Sequence, residues 1–120
     1  MDKIINKDEW ADFFARFNKI NSSRATRLRE FDKMGAQTVE HGLPLSGLDL
    51  QNKGEDSPIV EIILGGEKPG QKHLTHSISH VTQVAVKFDD AGREEVLEIE
   101  NEQGAKVLLS FEAMAEIEGG

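Results

Sequence analysis

The sequence predicts an α+β fold, with one N-terminal amphipathic helix packed on a strongly curved, mostly antiparallel sheet or partly open barrel of five to seven strands. Aromatic residues recur at helical spacing near the N-terminus, apolar and polar residues alternate strictly near the C-terminus, and glycine and proline interrupt the leucines between them. The chain has 120 residues, 38% of them hydrophobic and 30% charged. These values predict a soluble single domain over residues 1–120 with one core.

The predicted helix covers residues 6–20. Four aromatic residues share one side of it: Trp10, Phe13, Phe14 and Phe17. Asn6 precedes the stripe as a good N-cap, and Glu9 follows three residues later, as in a capping box. We expect the stripe to anchor the helix to the sheet; a ligand or partner groove is the alternative.

Strands are predicted, in chain order, over residues 24–31, 37–50, 59–64, 73–88, 93–101 and 105–111. Pro44 cannot donate a ladder hydrogen bond and Gly47 shifts the apolar alternation, so both indicate a bend or bulge. Residues 59–64 are nearly all apolar, which predicts a central strand covered on both faces. Residues 113–120 are expected to form a frayed tail, with at most one helical turn.

The C-terminal hairpin specifies its own register. Its two strands bring apolar residues to one face only if the loop has an odd length, because side chains alternate between faces. A three-residue loop over 102–104 satisfies this condition and predicts two inward pairs, Ile99 with Val107 and Leu97 with Leu109. Gly104 then occupies the position at which such a loop needs a left-handed backbone.

Four residues are candidates for partner binding: Val96, Leu108, Arg27 and Arg29. The first two are diagonal neighbours on the outward face of the hairpin, where a partner would cover them. The two arginines share a strand face and suit a phosphate or an acidic partner, or else they pair with acidic residues of the same chain. With the loop 65–72, this surface favours a non-catalytic protein-interaction or self-association module, whose partner is another protein or a second copy.

The charge of the chain is −8 and is unevenly distributed. Residues 1–53 carry nine basic and eight acidic side chains, whereas residues 54–120 carry five and fourteen. Such a negative field disfavours binding to nucleic acid or to anionic membranes. Cysteine is absent, which excludes disulfides and thiolate chemistry, and no secretory signal is evident at the N-terminus. We therefore expect a cytoplasmic protein.

The alternative function is a small-ligand or metal site built from His41, His76 and His80. In an extended strand His76 and His80 point to the same side, but they lie ~13 Å apart, too far to share one metal. A site would need a bend between them, or His41 on a neighbouring strand facing the same cleft. Otherwise the histidines are solvated or hydrogen-bonded.

No catalytic residue and no cofactor is predicted. Acidic pairs occur in turns or at outward positions, where solvation is expected: Asp89 with Asp90, Glu94 with Glu95, and Glu98 with Glu100. A catalytic carboxylate pair needs a partly buried cleft that separates the two pKa values. The chain also contains neither a phosphate-binding glycine loop nor a nucleophile elbow.

Several short motifs in a fixed order carry a resemblance to a protein family. They are Trp10-x-x-Phe13-Phe14-x-x-Phe17, Gly35-Ala36-Gln37 leading to Leu43-Pro44-Leu45-x-Gly47, Ile62-x-Leu64-Gly65, His76-x-Ile78, and Leu97-Glu98-Ile99-Glu100 followed by Gly104 and Phe111. In this order the chain resembles a small bacterial family of single-domain proteins of unknown function. The family pattern often has proline near the position of His80. The resemblance implies one compact domain and no particular activity.

Overall fold

The computed structural model describes residues 2–112 and contains one α-helix and eight strands in that range. The strands are β1 (Asp2–Ile5), β2 (Ala25–Asp32), β3 (Gly35–Gln51), β4 (Ile59–Gly65), β5 (His73–Ile78), β6 (Val81–Phe88), β7 (Glu94–Asn101) and β8 (Lys106–Phe111). The helix α1 (Trp10–Asn21) follows a short 3-10 turn (Lys7–Glu9). The predicted tail over 113–120 lies outside the described residues.

All eight strands belong to one antiparallel sheet in the order β1-β6-β7-β8-β2-β3-β4-β5, and the sheet is not closed. This confirms the α+β class. The predicted count of five to seven strands is wrong, because β1 was not predicted and the stretch 73–88 forms two strands. Between those two strands His80 adopts a positive φ of 54°, and the chain passes from the β4 side of the sheet to pair with β1 and β7.

The helix buries its aromatic stripe against the sheet, as predicted. The indole Nε1 of Trp10 donates a hydrogen bond of 3.0 Å to the carbonyl of Ile5, which ties the start of the helix to β1. The predicted capping box is wrong, since the side chain of Asn6 makes no capping hydrogen bond. The backbone carbonyl of Asn6 instead accepts from the N–H of Glu9 at 2.9 Å, so a 3-10 turn precedes the helix.

The sequence predicts a bend or bulge near Pro44 and Gly47, and β3 has a register irregularity at that place. The register between β3 and β4 shifts between Leu45 and Gly47, which marks a bulge or irregularity. Next to it, Asn18 of α1 makes two hydrogen bonds with the backbone of Leu48: its Nδ2 donates to the carbonyl at 2.9 Å and its Oδ1 accepts from the N–H at 2.8 Å. These hydrogen bonds hold the helix on β3 beside the register shift.

The core lies between α1 and the inner face of the sheet. In β4 the residues Val60, Ile62 and Leu64 are buried there, whereas Ile59 and Ile63 on the other face are only partly buried. The prediction that this strand is covered on both faces is therefore only partly correct, because the helix packs on one side alone.

The hairpin of β7 and β8 has the predicted register, with Ile99 opposite Val107 and Leu97 opposite Leu109. The N–H of Asn101 donates to the carbonyl of Ala105 at 3.0 Å, which closes the three-residue loop, and Gly104 has a φ of +84°. All four paired residues are buried, so the even-numbered residues between them form the outer face.

Candidate functional site

A cavity of about 260 Å³ opens on the outer face of the sheet. It lies across the five neighbouring strands β1, β6, β7, β8 and β2, on the side away from the helix. Its lining includes four charged side chains, Asp2, Arg29, Lys87 and Glu98, and the apolar side chains of Val96 and Leu108.

The sheet register explains why these side chains meet. Leu108 lies opposite Glu98 on one side and opposite Arg29 on the other, so the three form a row across β7, β8 and β2. Val96 lies opposite Lys87 on β6, one pair further along the same face. Residues two apart on a strand share a face, so both rows line one surface.

Three of the four predicted partner-binding residues, Val96, Leu108 and Arg29, are therefore brought together at this cavity. Arg27 lies on the same strand as Arg29, opposite Ser110 and His41, and is exposed outside the cavity. We refer to the cavity lined by Asp2, Arg29, Lys87, Val96, Glu98 and Leu108 as the outer-face site, and Arg27 lies outside it.

The loop 65–72, which we expected to adjoin this surface, supplies none of the residues that line the cavity among those the structure describes. Its Glu67 carboxylate accepts a hydrogen bond from the Ser23 hydroxyl at 2.7 Å, and its Lys72 ammonium lies 2.7 Å from Glu40. The hydrogen bond from Lys72 lowers the pKa of Glu40 below its ordinary value. The loop is thus held near the C-terminal end of the helix and β3.

Opposite charges neighbour each other at the outer-face site. The carboxylate of Glu98 lies 3.7 Å from the ammonium of Lys106. Asp2 is the register partner of Lys87 on the adjacent strand. Each acidic group of the cavity therefore has a basic neighbour within the chain.

Arg29 differs from these groups. Its Nε is buried and has no hydrogen-bond partner, and within residues 2–112 no carboxylate lies within 4.0 Å of its nitrogens. Its guanidinium carbon lies 5.6 Å from the ring centre of Phe31. A buried donor without an acceptor costs about 1–3 kcal/mol relative to a paired one. The site therefore contains a permanent cation with an unused donor.

Two arginines nearer the helix pair with acidic or carbonyl groups of the same chain. Arg16 lies 3.2 Å from the carboxylate of Glu94, and Arg24 donates to the Glu94 carbonyl at 2.9 Å. Burial and the neighbouring Arg93 lower the pKa of Arg24, and Asp89 and Glu94 partly oppose that shift.

The prediction that Glu94 lies in solvent is wrong, because its side chain is buried. Its exposed fraction is 5%, and the Nδ2 of Asn21 donates to its carboxylate at 2.7 Å. The register explains the burial: β6 advances by one residue, from Lys87 to Phe88, while β7 advances by two, from Val96 to Glu94. This bulge reverses the alternation and turns Glu94 inward. Strict alternation along the strand could not reveal it.

The three histidines of the alternative function pair with carboxylates at separate places. The pairs are His41 with Glu112, His76 with Glu30 at 3.4 Å, and His80 with Asp56 at 3.5 Å and Glu102 at 3.8 Å. His76 lies opposite the buried Ile62 on the inner side of the sheet, whereas His41 lies opposite the exposed Arg27. Within residues 2–112 no three His, Asp or Glu side chains are placed to hold one metal ion.

Comparison with known proteins identifies the family. Residues 1–118 match the model of a family of unknown function (DUF5335), and the chain belongs to that family. This confirms the resemblance drawn from the ordered motifs. No curated protein and no solved structure matches the chain. Among the described residues, no helix is both long and apolar enough to cross a membrane.

Proposed function

We propose that this member of the family is a non-catalytic binding module that docks a partner protein on the outer-face site. The observation that supports the proposal is the convergence of Val96, Leu108 and Arg29 around one cavity. The buried core of a protein interface is more apolar than the rest of the surface, and arginine is enriched at interfaces.

The apolar surface extends beyond the cavity, which favours a protein over a small molecule. Ile4 on β1 is 63% exposed, and it belongs to the same cross-strand row as Ala85, Glu98 and Leu108. The cavity, at about 260 Å³, lies below the range of about 300–1,000 Å³ typical of small-molecule sites. A protein partner would cover both the cavity and Ile4, whereas a small ligand would leave Ile4 in water.

A different protein is favoured over a second copy by charge. Each chain carries −8, so two copies repel each other. Light scattering over a range of concentrations separates the two cases, because self-association raises the apparent mass with concentration.

Site-specific photocrosslinking in cells tests the proposal. We place a benzophenone amino acid at Lys87, which is exposed at the rim of the cavity, and for comparison at Thr75, which is exposed on β5. We expect a discrete crosslinked protein from position 87 only, and its loss when Leu108→Glu or Val96→Glu is added. Equal crosslinking from both positions, or crosslinking that survives both charged substitutions, would contradict docking at this site.

A further inference from the structure

We propose that the docked partner inserts the carboxylate of a glutamate or aspartate side chain into the cavity, where the guanidinium of Arg29 binds it. This inference rests on the proposed docking function and names the chemistry by which the outer-face site recognises its partner. It starts from the unpaired donor of Arg29 and from the charges around it.

The hydrogen-bonding state of Arg29 points to an anion. Its guanidinium carries five N–H donors and no acceptor, so only acceptor groups can satisfy it. The Nε donor is buried without a partner in the described part of the chain, and no carboxylate there forms an ion pair with the side chain. A carboxylate matches the planar fork of a guanidinium with two parallel hydrogen bonds, which a hydroxyl or a single carbonyl cannot do.

The other charges of the cavity leave room for this anion. Lys87 contributes a second positive charge to the lining, and it has Asp2 as its register partner. Glu98 and Asp2 are the anionic groups of the lining that would oppose binding, but the carboxylate of Glu98 is already close to Lys106 at 3.7 Å, and Asp2 lies opposite Lys87. Neither Arg29 nor Lys87 has an acidic side chain at ion-pair distance within residues 2–112, and of these two cations only Arg29 has a buried donor without a partner in that range.

The apolar part of the cavity fits the carbon chain of an acidic side chain. Val96 and Leu108 are half-buried and line the cavity beside Arg29. They can pack on the methylene groups of the incoming residue while its carboxylate faces the guanidinium. Because Ile4 extends the apolar surface, aliphatic residues next to the acidic one are favoured in the partner.

Binding requires a small rearrangement of Arg29. Because Nε is shielded from solvent in the unbound protein, the guanidinium must turn toward the cavity to bring Nε–H and one terminal N–H to the carboxylate. The turn would replace an unsatisfied buried donor with a charge-assisted hydrogen bond.

Titration of the full chain with a blocked tripeptide, acetyl-Leu-Glu-Leu-amide, tests the inference by NMR. The matched control is the peptide with glutamine in place of glutamate, which keeps the shape and loses the charge. We expect the glutamate peptide to shift the Arg29 Nε–H signal and the methyl signals of Val96 and Leu108 in a saturable way. The glutamine peptide is expected to bind about tenfold more weakly, because hydrogen bonds to charged groups are stronger than neutral ones.

Two conservative variants localise the effect. Arg29→Lys keeps the charge but removes the fork, and we expect it to reduce binding of the glutamate peptide about tenfold, to the level of the glutamine peptide. Arg27→Lys makes the same change at an exposed arginine on the same strand face and should leave binding unchanged. Backbone amide spectra show whether each variant is folded, and the two-peptide comparison on the unaltered chain remains decisive if Arg29→Lys is not.

Equal binding of the two peptides, or shifts that Arg27→Lys and Arg29→Lys weaken alike, would overturn the carboxylate inference. So would isovalerate, a free carboxylate, binding as tightly as the glutamate peptide, since the source would then be a small molecule. The docking proposal fails on a separate result: either no crosslinked protein forms from position 87, or positions 87 and 75 crosslink equally. Crosslinking that persists with Arg29→Lys would keep the docking site and reject its recognition of a carboxylate.

Discussion

Replacing Glu94 with alanine is expected to lower the free energy of unfolding by about 1.5–4 kcal/mol. The hydrogen bond from Asn21 to the buried carboxylate, 2.7 Å long, accounts for most of this. A hydrogen bond to a charged group contributes about 1.5–3 kcal/mol. The ion pair with Arg16 adds about 0–1 kcal/mol, because that arginine side chain is 51% exposed and is screened by solvent.

Urea unfolding followed by the fluorescence of Trp10 measures the change, since this single tryptophan is buried between the helix and the sheet. With an m-value of about 1.5 kcal/mol/M, the midpoint should fall by about 1–2.7 M urea. Glu95→Ala is the matched control: it removes the exposed neighbour and should stay within about 0.5 kcal/mol of the original chain. Glu94→Gln keeps an acceptor for Asn21 and should fall between the two.

If Glu94→Ala and Glu95→Ala cost the same, the account of the bulge would be refuted. Equal costs would mean that Glu94 is solvated and that the alternation of β7 continues to its first residue. Comparing the two substitutions therefore tests both the register shift and the hydrogen bonds of Glu94.

Three further predictions concern other parts of the fold. Asn18→Ala removes both hydrogen bonds to the backbone of β3 and should cost about 1–3 kcal/mol in urea unfolding, whereas Asn52→Ala in an exposed loop should cost less than about 0.5 kcal/mol. Gly65→Ala should destabilise the fold far more than Gly104→Ala. Both glycines have positive φ, but only at Gly65 would the new Cβ overlap a backbone carbonyl. A melting temperature for Gly65→Ala at or above that for Gly104→Ala would contradict this. Backbone N–H donors lower the pKa of Asp89 below its ordinary value, so its carboxylate stabilises the fold above about pH 4 and that contribution is lost as the pH falls. Asp89→Asn should therefore flatten the acid side of the stability–pH curve, and an unchanged slope would exclude the effect.

The hairpin was predictable because its information is local. Two alternating strands and a glycine in a short loop specify the pairs Ile99–Val107 and Leu97–Leu109 without reference to the rest of the chain. The aromatic stripe of the helix was predictable for the same reason, since its spacing alone assigns the buried side.

The missed features depend on contacts distant in sequence. β1 has four residues, too few to show a pattern, and exists because it pairs with β6 about eighty residues later. The burial of Glu94 needs a bulge against β6 together with Asn21 from the helix. The outer-face site lies between these cases: the sequence identified Val96, Leu108 and Arg29 separately, and the strand order placed β2 beside β8 and so brought them together.

The length of β3 has a mechanical consequence for the whole sheet. Its first half is hydrogen-bonded to β2 and its second half to β4, with the register shift near Gly47 at the start of the second half. Separating β4 and β5 from the remaining strands would require breaking the backbone hydrogen bonds of β3 with β2 or with β4, and separation on the β2 side would also break the two hydrogen bonds between Asn18 and Leu48. Amide hydrogen exchange should therefore report similar opening free energies for both halves of β3, as one cooperative unit.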